Sequence, residues 1–167
     1  MPDGFVMTLD SAALEKKLKA LGTEQANKVM AKAFREGAQV YQAKVSERAP
    51  ERPELPSGTA LPVGALKSDV VIRKAPSNDG PIYEVTFGSE TIHVADWVET
   101  GHRLVLGGYS KEVIKNGEHT GKYRGPGKEV AQVEPHPFFR EAFEEASPDA
   151  EHVISDAITQ GIEKATR

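Results

Sequence analysis

The segment Glu134-Pro135-His136-Pro137-Phe138-Phe139-Arg140-Glu141-Ala142-Phe143 constrains the fold of this chain most. Its two prolines stop strand pairing and fix the backbone just before a helix start. Phe138, Phe139 and Phe143 follow at helical positions, so half of the six phenylalanines lie within six residues. A rigid turn thus delivers an aromatic plug into a core or an interface. Adjacent helical residues point about 100° apart, so Phe138 and Phe139 are expected to face different neighbours. One should meet the long helix described next, and the other a strand or a second subunit.

The rest of the chain supplies the scaffold. Phe5 to Leu9 reads as a short strand or arm, and Asp10 or Ser11 as the cap of a helix carrying Leu14, Leu18 and Leu21. Gly22 is placed to end that helix and Thr23 to cap the next. A long helix is predicted over 24–49. Its apolar stripe is Ala26, Val29, Met30, Ala33, Phe34, Gly37, Val40, Tyr41 and Val45, and Pro50 ends it. Residues 50–64 form a proline-rich loop. One helical turn is expected at Ala65–Ser68, then strands at Asp69–Lys74 and Ile82–Phe87 joined by a turn at Asp79-Gly80. Val94–Glu99 reads as a short helix stopped by Gly101.

Residues 101–127 hold seven of the 15 glycines. Within 101–128 the sequence reads as a basic insertion, a hairpin over Lys111–Arg124 turning at Asn116-Gly117. A strand is expected at Lys128–Glu134. Two C-terminal helices follow, 137–146 and 148–165, the second with Ser147 as N-cap and Pro148 as its first residue. Helices, antiparallel strands and helices in that order give an α+β fold. The expectation is a long N-terminal amphipathic helix and C-terminal helices packed on an antiparallel β-sheet. At 167 residues, one domain is expected over 1–167.

Composition narrows function. The absence of cysteine excludes disulfides and thiolate metal sites. A net charge of −4 gives no global basic field for nucleic acid. The opening MPDGFVMTLD lacks the basic start and apolar run of a secretory signal, and no segment has the roughly 20 apolar residues that span a bilayer. Nucleophile elbows and phosphate loops are missing, so no catalytic residue and no cofactor are assigned. His93, Asp96, Glu99 and His102, spaced three apart, are the one metal-like set. A step of three drifts round a 3.6-residue helix, so only neighbouring pairs share an ion, and no metal is expected. In that helix Val94, Trp97 and Val98 are expected to face the core. A metal-dependent hydrolase built on those four residues is the enzymatic alternative. A non-viral interaction module using the long helix is another.

In order along the chain, three motifs resemble the minor tail-component family of long-tailed bacteriophages, whose members act as head–tail connector, neck or tail-completion proteins. They are Pro62-Val63-Gly64-Ala65-Leu66-Lys67-Ser68, Val94-Ala95-Asp96-Trp97-Val98-Glu99-Thr100-Gly101-His102, and Pro135-His136-Pro137-Phe138-Phe139-Arg140-Glu141-Ala142. The resemblance implies a non-enzymatic virion protein, assembled from host cytoplasm into a homo-oligomeric, six-fold ring at the head–tail junction. Its partners would be other copies, the adjoining connector or head-completion and tail proteins, and double-stranded DNA passing without sequence-specific binding. Charge supplies interface candidates. Lys111, Lys115, Lys122, Arg124 and Lys128 outnumber Glu112 and Glu118, whereas 134–167 carries eight acids against three bases. The basic hairpin of one subunit is expected to meet acids of the next, Glu144 and Glu145 among them, with Phe138 and Phe139 as apolar candidates. Residues 50–64 and 101–128 are expected to become ordered on assembly.

Overall fold

A computed structural model describes residues 16, 18–51, 61–78, 80–106, 112–115, 118–123 and 128–166, with side chains undescribed over 104–131. The expected strand at Phe5–Leu9, the cap at Asp10 or Ser11, Leu14, most of the 50–64 loop, Asp79, Lys111, Asn116, Gly117 and Arg124 lie outside the described residues. In chain order the elements are α1 (Thr23–Arg48), α2 (Ala65–Ser68), β1 (Val70–Ala75), β2 (Ile82–Phe87), α3 (Ile92–Thr100), β3 (His102–Leu106), β4 (Glu112–Lys115), β5 (Glu118–Tyr123), β6 (Lys128–Val133) and α4 (Phe138–Ala165). Two compact units result: Met1–Ile92 with Phe138–Arg167, and His93–Pro137. The fold is α+β and largely helical.

Helix α1 ends as Pro50 dictates: Ala49 leaves the helix at φ −56°, ψ 128°. At its start Gly22, not Thr23, holds the capping position with φ 79°, and Thr23 is already helical. Glycine alone enters that left-handed region cheaply. Leu18 and Leu21, two of the three predicted leucines, are half-buried just upstream and pack on the cluster of Ala33, Ile154, Ile158 and Ile162.

Helix α4 corrects the expectation of two C-terminal helices. It runs unbroken through Pro148. Its buried residues are Phe138, Ala142, Ala146, Ala150, Ile154, Ile158 and Ile162, every fourth position from end to end. Such a row forms one continuous ridge. A break at Ser147 would throw the two halves out of phase. The seam therefore outweighs a proline penalty of about 3 kcal/mol. Ser147, the expected cap, instead donates its hydroxyl to the Phe143 carbonyl one turn back, at 2.8 Å.

The ridge lies antiparallel on α1. Gly161 receives Val29, Gly37 receives Ile154, Tyr41 Oη is 3.2 Å from Ser147 Oγ, and Arg48 reaches Glu141. Small residues on both helices let the backbones approach. A Cβ on Gly37 would run into Ile154, and one on Gly161 would lie 2.6 Å from Val29 Cγ1.

The β1–β2 hairpin packs against α1, with Val70 opposite Phe87 and Ala75 opposite Ile82. Phe87 is buried, as its alternation with Tyr83 and Val85 predicts. Two side chains of α1 fix the approach: Gln42 donates to the Val70 carbonyl at 2.6 Å and Ser46 to the Lys67 carbonyl at 2.6 Å. The Gly64-to-Ser68 motif now has a physical meaning. Gly64 turns at φ 74°, Leu66 is buried, Lys67 pairs with Glu51 at 2.7 Å, and the Ser68 hydroxyl donates to its own turn. After β2, the Asp69 carboxylate accepts the buried Thr91 hydroxyl at 2.6 Å, while Gly88 N–H donates to the Asp69 carbonyl at 3.0 Å. A Cβ on Gly88 would collide with that carboxylate.

In the second unit, α3 closes at Gly101, φ 73°, as predicted. The Thr100 hydroxyl donates to the Asp96 carbonyl at 2.7 Å. A side chain on Gly101 would strike the Val133 carbonyl and Pro135. His136 N–H donates to the Val98 carbonyl at 2.8 Å, which ties the Pro-His-Pro turn to α3. β3 pairs antiparallel with β6, from His102–Val133 to Leu106–Lys128, with a bulge between Leu104 and Val105. β4 pairs with β5 as the predicted hairpin. Among the described residues these are two separate two-stranded pairs. Strand β3 is additional to the sequence reading.

Candidate assembly surface

The aromatic plug is mostly internal. Phe138 is 1% exposed. Its ring meets Phe87 edge-on at 6.0 Å, and half-buried Phe139 meets the same Phe87 at 5.8 Å. Phe139 also touches Phe143, which stacks on Tyr41 at 4.4 Å. The two adjacent phenylalanines thus share one strand residue instead of separate neighbours. Phe87 sits in the angle between them and contacts both.

Trp97 corrects the sequence reading. The sole tryptophan, expected to face inward with Val94 and Val98, is 52% exposed. Ala95 is the buried residue of α3, and Trp97 lies about 200° further round, on the opposite side. His93, Asp96 and Thr100 share its outward face. The His102 ring lies 5.7 Å from the indole, with Nδ1 placed to donate to the Trp97 carbonyl at 3.3 Å. Val133, opposite His102 in the β3–β6 ladder, is also exposed. Of the metal-like set, Glu99 is half-buried while His93 and Asp96 face solvent. Among the described residues no three His, Asp or Glu side chains converge into a metal-holding group.

A second surface lies on the α1–α4 pair. Val40, Ala43, Val153, Gln39, Glu36 and Glu47 line an open groove of about 600 Å³. Lys44 also lines it, bonded to Glu47 at 2.9 Å and Glu145 at 3.3 Å. Beside it Arg48 bonds Glu145 at 2.7 Å and Glu141 at 3.0 Å. Hydrogen bonds from Arg48 and then Lys44 hold the Glu145 carboxyl below its usual range, and Glu47 and Glu145 raise the Lys44 ammonium. This cluster joins residues nearly a hundred apart, which no local sequence signal reveals.

A pH dependence follows. A depressed carboxyl stabilises the fold fully above its unfolded pKa and loses that contribution as pH falls through the folded one. Glu145→Gln is therefore expected to flatten the acid limb of the urea midpoint below about pH 5 and to leave its slope above that unchanged. High salt should shrink the difference, because these charges are exposed. Equal acid slopes for the two proteins would contradict the linkage.

Of the interface candidates, Glu144 is exposed, Glu145 is engaged with Arg48 and Lys44, Phe138 is buried and Phe139 half-buried. Lys115, Lys122 and Lys128 fall in β4, β5 and β6, and Lys111 and Arg124 lie outside the described residues.

Fold and surface describe an α+β protein with a packed helical pair, an exposed tryptophan and antiparallel strand pairs. Residues 12–101 match the HK97-gp10-like family, described as "Bacteriophage HK97-gp10, putative tail-component". The match covers more than half of the chain, and the chain belongs to this family of phage tail components. It spans α1 to α3 and ends at Gly101, just before β3. No curated protein and no solved structure shows a significant match. Among the described residues no helix is long and apolar enough to cross a membrane.

Proposed function

We propose that this protein is a non-enzymatic structural component of the phage virion, and that its copies close into a ring at the head–tail junction around the DNA path. The observation that carries the reading is Trp97, half-exposed on α3 within the family-matched stretch. Tryptophan is, with tyrosine and arginine, enriched among the residues that anchor interfaces. Its neighbours His93, Asp96 and His102 give the face polar, hydrogen-bonding surroundings suited to a contact that forms late in assembly. The ring passes DNA without reading its sequence, consistent with the net negative charge.

The test is native mass of the purified oligomer together with incorporation into tailed particles. Trp97→Ala is expected to weaken assembly by about 2 kcal/mol or more, roughly 30-fold in the association constant. The urea midpoint should stay close to wild type, since the ring is half in solvent. Unchanged mass and unchanged incorporation would remove the α3 face from the contact surface. A monomer at every concentration, absent from particles, would overturn the ring.

A further inference from the structure

We propose that the proline segment Pro50–Pro56 of one copy lies across the Trp97 face of the next, an inference that rests on the ring reading and supplies the partner of that face. The first observation is a sequence period. Pro50, Pro53 and Pro56 recur at every third residue. A polyproline II helix has three residues per turn, so the three rings fall along one edge of it. The chain enters that conformation already at Ala49, with φ −56° and ψ 128°. Both ends of the segment are tied at α2. Glu51 pairs with Lys67 at 2.7 Å, and the Pro62 carbonyl accepts the Ala65 N–H at 3.2 Å. Residues 52–60 run between these ties, enough chain to reach out and back by about 15 Å. Arg52 and Glu54 cancel, so the prolines and Leu55, not charge, are what the segment offers a partner.

The second observation is the receptor. Trp97 is 52% exposed, and the His102 ring, 5.7 Å away, extends its flat surface. Val133, opposite His102, is exposed, and so is Pro135, which lies against Gly101. Among the described residues the indole N–H has no hydrogen-bond partner. Proline-rich segments dock on aromatic surfaces. A polyproline II backbone makes no internal hydrogen bonds, so its carbonyls stay open to a donor. An indole offers both parts, an apolar face for the proline rings and one N–H at its edge for a carbonyl. Segment and receptor are different surfaces of the chain. Their contact between copies is therefore head-to-tail, the kind that closes a ring.

Trp97 is the sole tryptophan, so its fluorescence reports the contact directly. The emission of the full chain is expected to move to shorter wavelength as the protein is concentrated through assembly, followed in parallel by native mass. The double variant Pro53→Ala/Pro56→Ala should assemble about tenfold more weakly, as expected for an interface that loses its anchors, and should lack the shift. A synthetic peptide spanning 50–60, added to that variant, should restore the shift saturably, and the same peptide with both prolines replaced by alanine should not. The peptide arm reads the receptor whether or not the substituted loop disturbs the fold. A double variant that assembles like wild type, with no response to the peptide, overturns this contact and leaves the ring standing. Loss of assembly in Trp97→Ala but not in the double variant means that Trp97 meets another surface, and overturns it likewise. A short-wavelength emission in the dilute monomer that the double variant loses shows the segment on its own tryptophan, which overturns the contact between copies. A protein monomeric at every concentration overturns both this contact and the ring.

Discussion

Phe138→Ala is expected to destabilise the protein by about 3–5 kcal/mol, the largest effect of any single substitution considered. Phe138 is 1% exposed and begins the buried ridge of α4 against Phe87 of β2. Its removal costs transfer energy, and it opens a cavity that the Pro-fixed turn before it has little freedom to close. Phe139→Ala should cost less, because its ring is already half in solvent. Urea unfolding of the two variants checks the ranking. Equal, small losses below about 1 kcal/mol would mean that the aromatic plug does not anchor the isolated chain.

The second large effect lies at mid-seam. Ile154→Ala is expected to cost about 2–5 kcal/mol, since Ile154 fills the gap that Gly37 leaves on α1. Gly37→Ala alone should cost about 1–3 kcal/mol, because the new methyl group meets the Ile154 side chain. The two together should cost less than their sum, since the added Cβ occupies space that the shortened side chain vacates. Strict additivity in denaturant midpoints would show that Gly37 and Ile154 are not locked together.

Elements with local signals were legible from sequence. The end of α1 follows from Pro50, the end of α3 from Gly101, and β2 from the alternation of Tyr83, Val85 and Phe87. The turn at Gly64 and the β4–β5 hairpin followed from glycine-bearing turn chemistry. The family was legible from short motifs in order, and it matches over 12–101. Errors arose where a local rule met a distant partner. Pro148 reads as a helix start because proline opposes helix continuation. The four-residue ridge on α1 keeps α4 whole, and only the packed pair reveals that ridge. Strand β3 went unread because a strand is defined by its partner, and that partner, β6, begins beyond a second hairpin.

The same division holds for the candidate surfaces. Sequence by itself determined an α+β chain without cysteine, a long helix with an apolar stripe, a basic hairpin and an acidic C-terminal helix. Periodicity, turn residues and charge are properties of adjacent residues, so they survive without coordinates. Only the tertiary structure decided which side of α3 is buried, and hence that Trp97 faces solvent while Ala95 does not. It also turned Phe138 inward and bound Glu145 to Arg48 and Lys44. Hydrophobicity is non-directional, and a helix can bury any face that its neighbours cover. Exposure is therefore settled by the packing of elements far apart in sequence.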